Sequence, residues 1–546
     1  MLDLIRQLPK ILADWVMPNL RLHWESRQPV VWLLSLAAGA LVAIVAIVFR
    51  ELIGIFQFLW TGTTAETLSA KLSAMPWYWV FFGPVIGGLA VGICLEYLLT
   101  SKRTHGVADV IEAKTTGNDR FSLMQTALSG GVTALSLGAG GSGGREGPVV
   151  YLGAAFSNAI ARHFELPTWG KRTLLGCGVA AAVSASFNAP IAGVLFAHEV
   201  ILGHYAMRAF VPIVISSVVS TILSRLWFGD IAAFAIPSYQ ITSFWEFPAF
   251  ALLGVVCALV AVLFQFAMIG TDYVARSINI PLILRPVIGG FLVGAIAVFF
   301  PQVLGVGYEA TDMALKSHLP LLLLLGLLIA KTAATAITLA SRFGGGVFSP
   351  SLYLGAMAGG AFGIIAAGFF PEMASSEGLY AILGMGGVAA AVLGAPVSTT
   401  VMVFELTGGY ALSIGLLLTV SISNGIAQAI HGHSFFHWQL EMRGLFVNEG
   451  PQQTLLRQRR VKDFMTPLDP EEEPPAPLDP EQDEAFLKPS WTLEYALRTF
   501  DNGGHSTLPV VDERDETRII AWAHLTHGLR YFNRALAEAT AEEHHH

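Results

Sequence analysis

The sequence predicts an all-α, polytopic membrane protein made of two related halves with interrupted helices, followed by a small α/β module. Composition is the first ground: the chain is 53% hydrophobic and 13% charged, with a mean hydropathy of +0.58, far more apolar than a water-soluble domain. The second is a series of apolar runs long enough to cross a bilayer. The third is an internal repeat carrying Gly and Pro at matching positions, the mark of broken helices that meet at a transport site.

Taken in chain order, residues 1–27 intersperse Asp3, Arg6, Lys10, Asp14, Arg21, His23 and Glu25 among apolar residues. That is the pattern of an amphipathic surface helix rather than a cleavable signal. The membrane part runs over 28–445, with repeats about 76–235 and 283–445. Full spans are expected at 30–49, 77–99, 247–268, 287–300 with its flanks, and 319–340. The segments 149–161, 190–202 and 396–406 are too short or interrupted; half-spans survive at membrane depth only where protein or a watery cavity receives their ends. Arg6, Lys10, Arg21 and Arg27 precede the first span, and Arg443, Arg457, Arg459, Arg460 and Lys462 follow the last. The positive-inside rule then puts both ends in the cytoplasm; the expected location is a bacterial-type inner or plasma membrane. Cys94, Cys177 and Cys257 lie in apolar stretches without metal-ligand spacing, so neither a disulfide framework nor a metal site is expected.

The run Gly144-Arg145-Glu146-Gly147-Pro148 sets a carboxylate at the entrance to an apolar helix, after Gly138, Gly140, Gly141 and Gly143. Pro148 suits a first helical turn. Backbone N–H groups and the positive end of a helix dipole form an anion site there, and Glu146 is itself an anion able to occupy it. Alone, the motif reads more readily as a helix cap. A second copy, Gly344-Gly345-Gly346-Val347-Phe348-Ser349-Pro350, follows at an offset of 350 minus 148, or 202 residues, and Tyr151-Leu152-Gly153-Ala154 falls on Tyr353-Leu354-Gly355-Ala356. Gly178-Val179-Ala180-Ala181-Ala182-Val183 matches Gly387-Val388-Ala389-Ala390-Ala391-Val392, and Asn188-Ala189-Pro190 matches Gly394-Ala395-Pro396. Each copy then reaches a glutamate nine residues after its proline, Glu199 and Glu405. Both are expected to satisfy nearby backbone or basic groups.

These motifs resemble those of the CLC family of chloride channels and chloride/proton exchangers, over about 30–444. Gly144 to Pro148 matches its GREGP motif, and Gly346-Val347-Phe348-Ser349-Pro350 its GxFxP motif. The resemblance implies an inverted-repeat bundle assembled as a homodimer, with an anion pathway in each subunit. It makes Glu146 the gating glutamate and gives the N–H groups of Val347 and Phe348 to the central anion, alongside His105, Gly106, Val107, Arg145, Gly147 and Phe436. Arg145 is read as a brace for its loop, since a full charge in the pathway would trap the ion.

Departures from the family pattern matter as much. Its first filter motif, GSGIP, aligns with Thr104-His105-Gly106-Val107-Ala108, so His105 stands where the family has an anion-coordinating serine. Neutral His105 can donate one N–H and protonated His105 would attract chloride; the alternative is that it turns away and caps a helix beside Lys102 and Arg103. The family's inner tyrosine aligns with Phe436, and its internal proton-transfer glutamate with Val200. Valine there favours passive or weakly proton-coupled chloride movement. An exchanger would need another proton path from Glu146 through His105, His198 or Glu199.

After a linker at 446–460, residues 461–535 resemble a single CBS motif with an acidic insert at 471–484, which contributes to the net charge of −8. The Asp that holds a nucleotide ribose in that motif is not evident near Thr526-His527, so structural support of a dimer is the expected role and no cofactor is expected. Residues 536–546 read as a tail ending in a tag-like His run. Chloride, possibly with protons, is the expected partner beside the lipid bilayer and a second copy; no nucleic acid is. The sequence holds no nucleophile–base constellation, Walker loop or metal cluster that would make it an enzyme. A nontransporting membrane scaffold is the alternative of another class.

Overall fold

A computed structural model describes residues 27–65, 67–116, 121–229, 243–372, 374–407, 412–445, 459–468 and 485–544, with a few isolated residues besides. The amphipathic helix expected over 1–27, most of the linker and the acidic insert lie outside the described residues. The chain divides into two compact units, 1–438 and 439–546.

In the first unit α1 (Gln28–Thr61) and the short α2 (Leu68–Ser73) lead into seven helices. These are α3 (Trp77–Tyr97), α4 (Val107–Thr116), α5 (Leu123–Gly138), α6 (Glu146–His163), α7 (Thr168–Phe187), α8 (Pro190–Phe196, widening into π-helical turns over Ala197–Leu202) and α9 (Met207–Phe228). After α10 (Phe247–Ser277) the same series returns as α11 (Leu284–Phe299), α12 (Tyr308–Leu315), α13 (Leu321–Ala340), α14 (Phe348–Phe369), α15 (Glu377–Leu393), α16 (Pro396–Thr407) and α17 (Ser413–His431), closed by α18 (Phe435–Glu441). Seven helices among the described residues are long and apolar enough to cross a membrane.

Several expectations are corrected. The run at 287–300 forms a helix of only 16 residues, bounded by Pro281 and Pro301 and too short to span. The second motif helix, α14, whose length the sequence does not set, has 22 residues and is long and apolar enough to span, whereas α6 has 18. A span at α9 escaped the sequence reading because serines interrupt its apolar face. The structure shows their use: Ser216, Ser220 and Ser224 donate to the carbonyls of Cys177, Ala181 and Ala185 at 3.0, 2.8 and 3.0 Å, pinning α9 along α7.

Helix ends repeat as well. Asn188 closes α7 and Gly394 closes α15, both in the left-handed conformation (φ 57° and 66°) that lets a helix stop and the chain turn into the next proline. Gly153 of α6 faces the backbone of Gly178 on α7, and Gly355 of α14 faces that of Gly384 on α15; a Cβ on any of the four would strike main-chain atoms. The packing therefore equates Gly178 with Gly384, not with Gly387. Small residues recur at nearly helical spacing here, so the sequence match slipped by three residues, almost one turn.

The second unit is a small α/β module. Strands β1 (Thr466–Pro467), β2 (Thr507–Val511) and β3 (Ile519–His524) form an antiparallel sheet in the order β1-β3-β2, with Leu487 adding a parallel bridge to Val510. Helices α19 (Leu493–Gly503) and α20 (Leu525–His544) accompany it. Val461, Phe464, Leu487, Phe500, Val510 and Ala521 make its core. The expected tail at 536–546 begins instead as the last turns of α20.

Candidate anion site

The two glycine-rich loops clasp each other. Gly144 N–H donates to the Gly346 carbonyl and Gly346 N–H to the Gly144 carbonyl, both at 2.7 Å. Outside this pair, Ser136 Oγ donates to Gly344 O at 2.9 Å and Ser142 N–H to Thr338 Oγ1 at 3.1 Å. Equivalent residues of the two halves thus exchange bonds across a local two-fold, and the helices that follow, α6 and α14, begin side by side. First-turn amides have no carbonyl of their own helix to meet. A proline in each first turn, Pro148 and Pro350, removes one donor and leaves those of Glu146, Gly147, Phe348 and Ser349 concentrated at the junction.

Glu146 is fully buried at this junction. Its Oε1 accepts hydrogen bonds from Ser349 Oγ at 2.6 Å and from the Tyr308 hydroxyl at 2.8 Å, with Arg145 Nε at 4.0 Å. Its Oε2 has no hydrogen-bond partner among the described residues. A Cβ on Gly144 would lie 2.7 Å from Oε2 and 3.1 Å from Ser349 N, so glycine is what allows the carboxylate to fold back over the start of α14. The Arg145 guanidinium lies 5.0 Å from the centre of the Tyr308 ring.

The start of α4 completes the group: Val107 Cγ2 lies 3.8 Å from where a Cβ of Gly147 would stand. Its neighbours are engaged differently from what sequence suggests. Gly106 N–H donates to Asp109 Oδ2 at 2.8 Å, and Asp109 Oδ1 pairs with Arg103 at 2.6 Å. The cap considered for His105 is therefore supplied by Asp109, an acid at the third helical position. His105 instead stacks on Tyr151 of α6, centroids 4.8 Å apart at 12°, with its Nδ1 3.3 Å from Ser129 Oγ. Phe348 turns its ring into an aromatic layer with Phe187 and Phe196, at 5.3 and 5.2 Å. Phe436, on α18, is buried and packs edge-on against Phe435 at 6.2 Å.

The remaining candidates lie around α8. His198 is fully buried, its Nδ1 3.0 Å from the His204 carbonyl and its Nε2 without a partner among the described residues. Val200 is buried beside it. Glu199 accepts from the amides of Val397 and Ser398 at 3.0 and 2.7 Å, and Glu405 from those of Ile191 and Ala192 at 3.0 and 2.7 Å. Each glutamate caps the short helix of the other repeat, the backbone role expected of both. A cavity of about 330 Å³ opens beside Tyr308 and Arg145, lined also by Arg50, Glu51 and Glu309. The two acids there have partners: Glu309 accepts from Ser69 and Ala70 amides at 2.7 and 3.3 Å, and Glu51 from Trp227 Nε1 at 3.0 Å.

Sequence reasoning missed Tyr308, Ser349 and Asp109. The repeat could have found the first, because His105 plus 202 is Gly307, next to Tyr308. The loop before α12 is the second-half counterpart of the loop before α4.

A two-repeat membrane bundle whose helix starts converge on one buried carboxylate is the architecture of an ion-transport protein. The chain belongs to the CLC family: the family model described as voltage gated chloride channel matches residues 87–428. It is 32% identical over 386 residues to a putative chloride channel protein ClcB-like of Ralstonia nicotianae, covering 70% of this chain and 89% of that protein. Its fold is similar to that of a slow cyanobacterial Cl−/H+ antiporter (TM-score 0.66, 22% identity, 76% and 97% of the two chains). It is also similar to a eukaryotic CLC transporter (TM-score 0.63, 18% identity, 92% and 88%). The protein is thus an integral membrane protein of anion transport.

Proposed function

We propose that this protein moves chloride across the membrane, with Glu146 as the gate of a pathway in each subunit of a homodimer, and that the movement is passive or weakly proton-coupled. The observation that carries this reading is the seating of the Glu146 carboxylate, fully buried, across the start of α14. A place that accommodates one anion at helix starts suits another, so chloride and the ionised side chain compete for it, and protonation makes the side chain yield. Amides of Val347, Phe348 and Gly147 would replace the hydration a chloride loses, without the grip of a full charge. The start of α4 would contribute through Val107, since Asp109 holds the Gly106 amide. In this reading Arg145 and Arg50 make the adjoining cavity attractive to anions, His105 flanks the pathway through its stack on Tyr151, and Phe436 lines its inner side.

Weak coupling rests on Val200. A second reading, chloride/proton exchange by an atypical inner route, draws on the unpartnered Nε2 of His198; Glu199 is committed to its cap. The second unit reads as one CBS-like module that supports the dimer, and both termini as cytoplasmic.

The test is chloride and proton recording together in liposomes holding the full chain. Glu146→Gln is expected to remove most of the pH dependence of chloride flux, with no sustained uphill proton movement in the unaltered protein. An unchanged pH response would place the gate elsewhere, uphill proton movement at a fixed ratio would select the exchanger, and absent anion flux would leave a scaffold.

A further inference from the structure

We propose that Tyr308 and Ser349 are positioning residues that latch Glu146 in its buried seat and set the proton concentration at which the pathway opens. The proposal rests on Glu146 being the gate. Both hydroxyls donate to the same oxygen, Oε1, at 2.8 and 2.6 Å, from α12 and α14 of the second repeat, while Oε2 is buried with no partner among the described residues. Hydrogen bonds to an ionised carboxylate are about twice as strong as those to a neutral acid. A proton on Oε2 therefore weakens both latch bonds at once. It also turns a buried oxygen that has no partner among the described residues into an O–H donor, and a buried donor is costly wherever it is left unpaired. Swinging toward the cavity beside Tyr308 relieves both.

The seat for Tyr308 is itself built. Gly305 and Gly307 take left-handed angles (φ 64° and 91°), and Lys331 Nζ donates to the carbonyls of Val303 and Gly305, both at 2.9 Å, holding the loop from below. The Tyr308 ring packs edge-on against Phe234 at 5.6 Å. Where the loop before α4 lies beside the helix starts in the first repeat, its counterpart in the second delivers a phenol hydroxyl to the carboxylate.

The ionisable groups around Glu146 are Arg145 just before its helix, Tyr308 from α12, and Arg50 and Glu51 from α1, with Glu309 across the cavity and Lys331 of α13 behind the loop. The loop before α4 brings His105, stacked on Tyr151 of α6, α14 brings Tyr353 beside Lys331, α4 brings Asp109, Glu112 and Lys114, and α5 carries none. Tyr308→Phe and Ser349→Ala change none of these charges except the phenol.

The experiment compares the flux–pH midpoint of the full-length protein in liposomes, with and without Glu146→Gln. Tyr308→Phe and Ser349→Ala are each expected to move the acid-activation midpoint to higher pH by about one unit, and neither is expected to act when Glu146 is already Gln. If Glu146→Gln flattens the profile but both substitutions leave the midpoint in place, the latch is wrong and the gate stands. If either still shifts the profile in the Gln background, it acts on something other than Glu146, and the latch is again wrong. A pH response that survives Glu146→Gln at its full size refutes the gate itself. Should Tyr308→Phe not reach the membrane folded, Ser349→Ala carries the same comparison.

Discussion

Gly144 shows how much of the site depends on one missing side chain. Its amide and carbonyl are both held by Gly346, so the backbone cannot retreat, and the space over its Cα belongs to Oε2 of Glu146. Alanine there would stand 2.7 Å from that oxygen and 3.1 Å from Ser349 N. Overpacking of this kind costs about 1–3 kcal/mol, and the carboxylate is the part free to move. Gly144→Ala is therefore expected to raise chloride flux at neutral pH by about tenfold and to flatten its pH response. Flux equal to that of the unaltered protein would mean that the carboxylate does not block the pathway from this seat. At this scale the sequence exposed the glycines, Glu146 and the two prolines, because each belongs to a short contiguous motif. Tyr308 lies 162 residues from Glu146 and Ser349 lies 203 away; only the folded topology makes them neighbours.

Among the elements, the crossed caps of α8 and α16 are the clearest product of duplication. Glu405 leaves its own helix to bind amides at the start of α8, and Glu199 does the reverse. Two amides bonded to one carboxylate are worth about 1.5–3 kcal/mol to the helix start they serve. Glu405→Ala is expected to speed hydrogen exchange at Ile191 and Ala192 by about tenfold or more while sparing Val397 and Ser398. Loss of protection confined to α16, the mutated helix, would contradict the crossed arrangement. The two repeats and their short helices were readable from Gly, Pro and apolar spacing, and the α/β order of the second unit from its resemblance to a CBS motif. The limits of individual spans were not. Residues 287–300 look long enough until the prolines at 281 and 301 are given their weight, and the serines of α9 look too polar until their acceptors on α7 are seen.

For the whole molecule, the two halves have diverged in content while keeping their geometry. Position 146 holds a carboxylate in the first and its counterpart, Phe348, an aromatic ring packed with Phe187 and Phe196. One half supplies the mobile charge and the other the helix start over which it lies, with hydroxyls to hold it. That division of labour is what the proposed single gate asks of a duplicated fold. The most direct measurement is anomalous diffraction from Glu146→Gln crystals grown in bromide. Bromide is expected at the start of α14, against the amides of Val347 and Phe348, with a second peak where the carboxylate had lain. Well-ordered crystals with no halide at either position would contradict it.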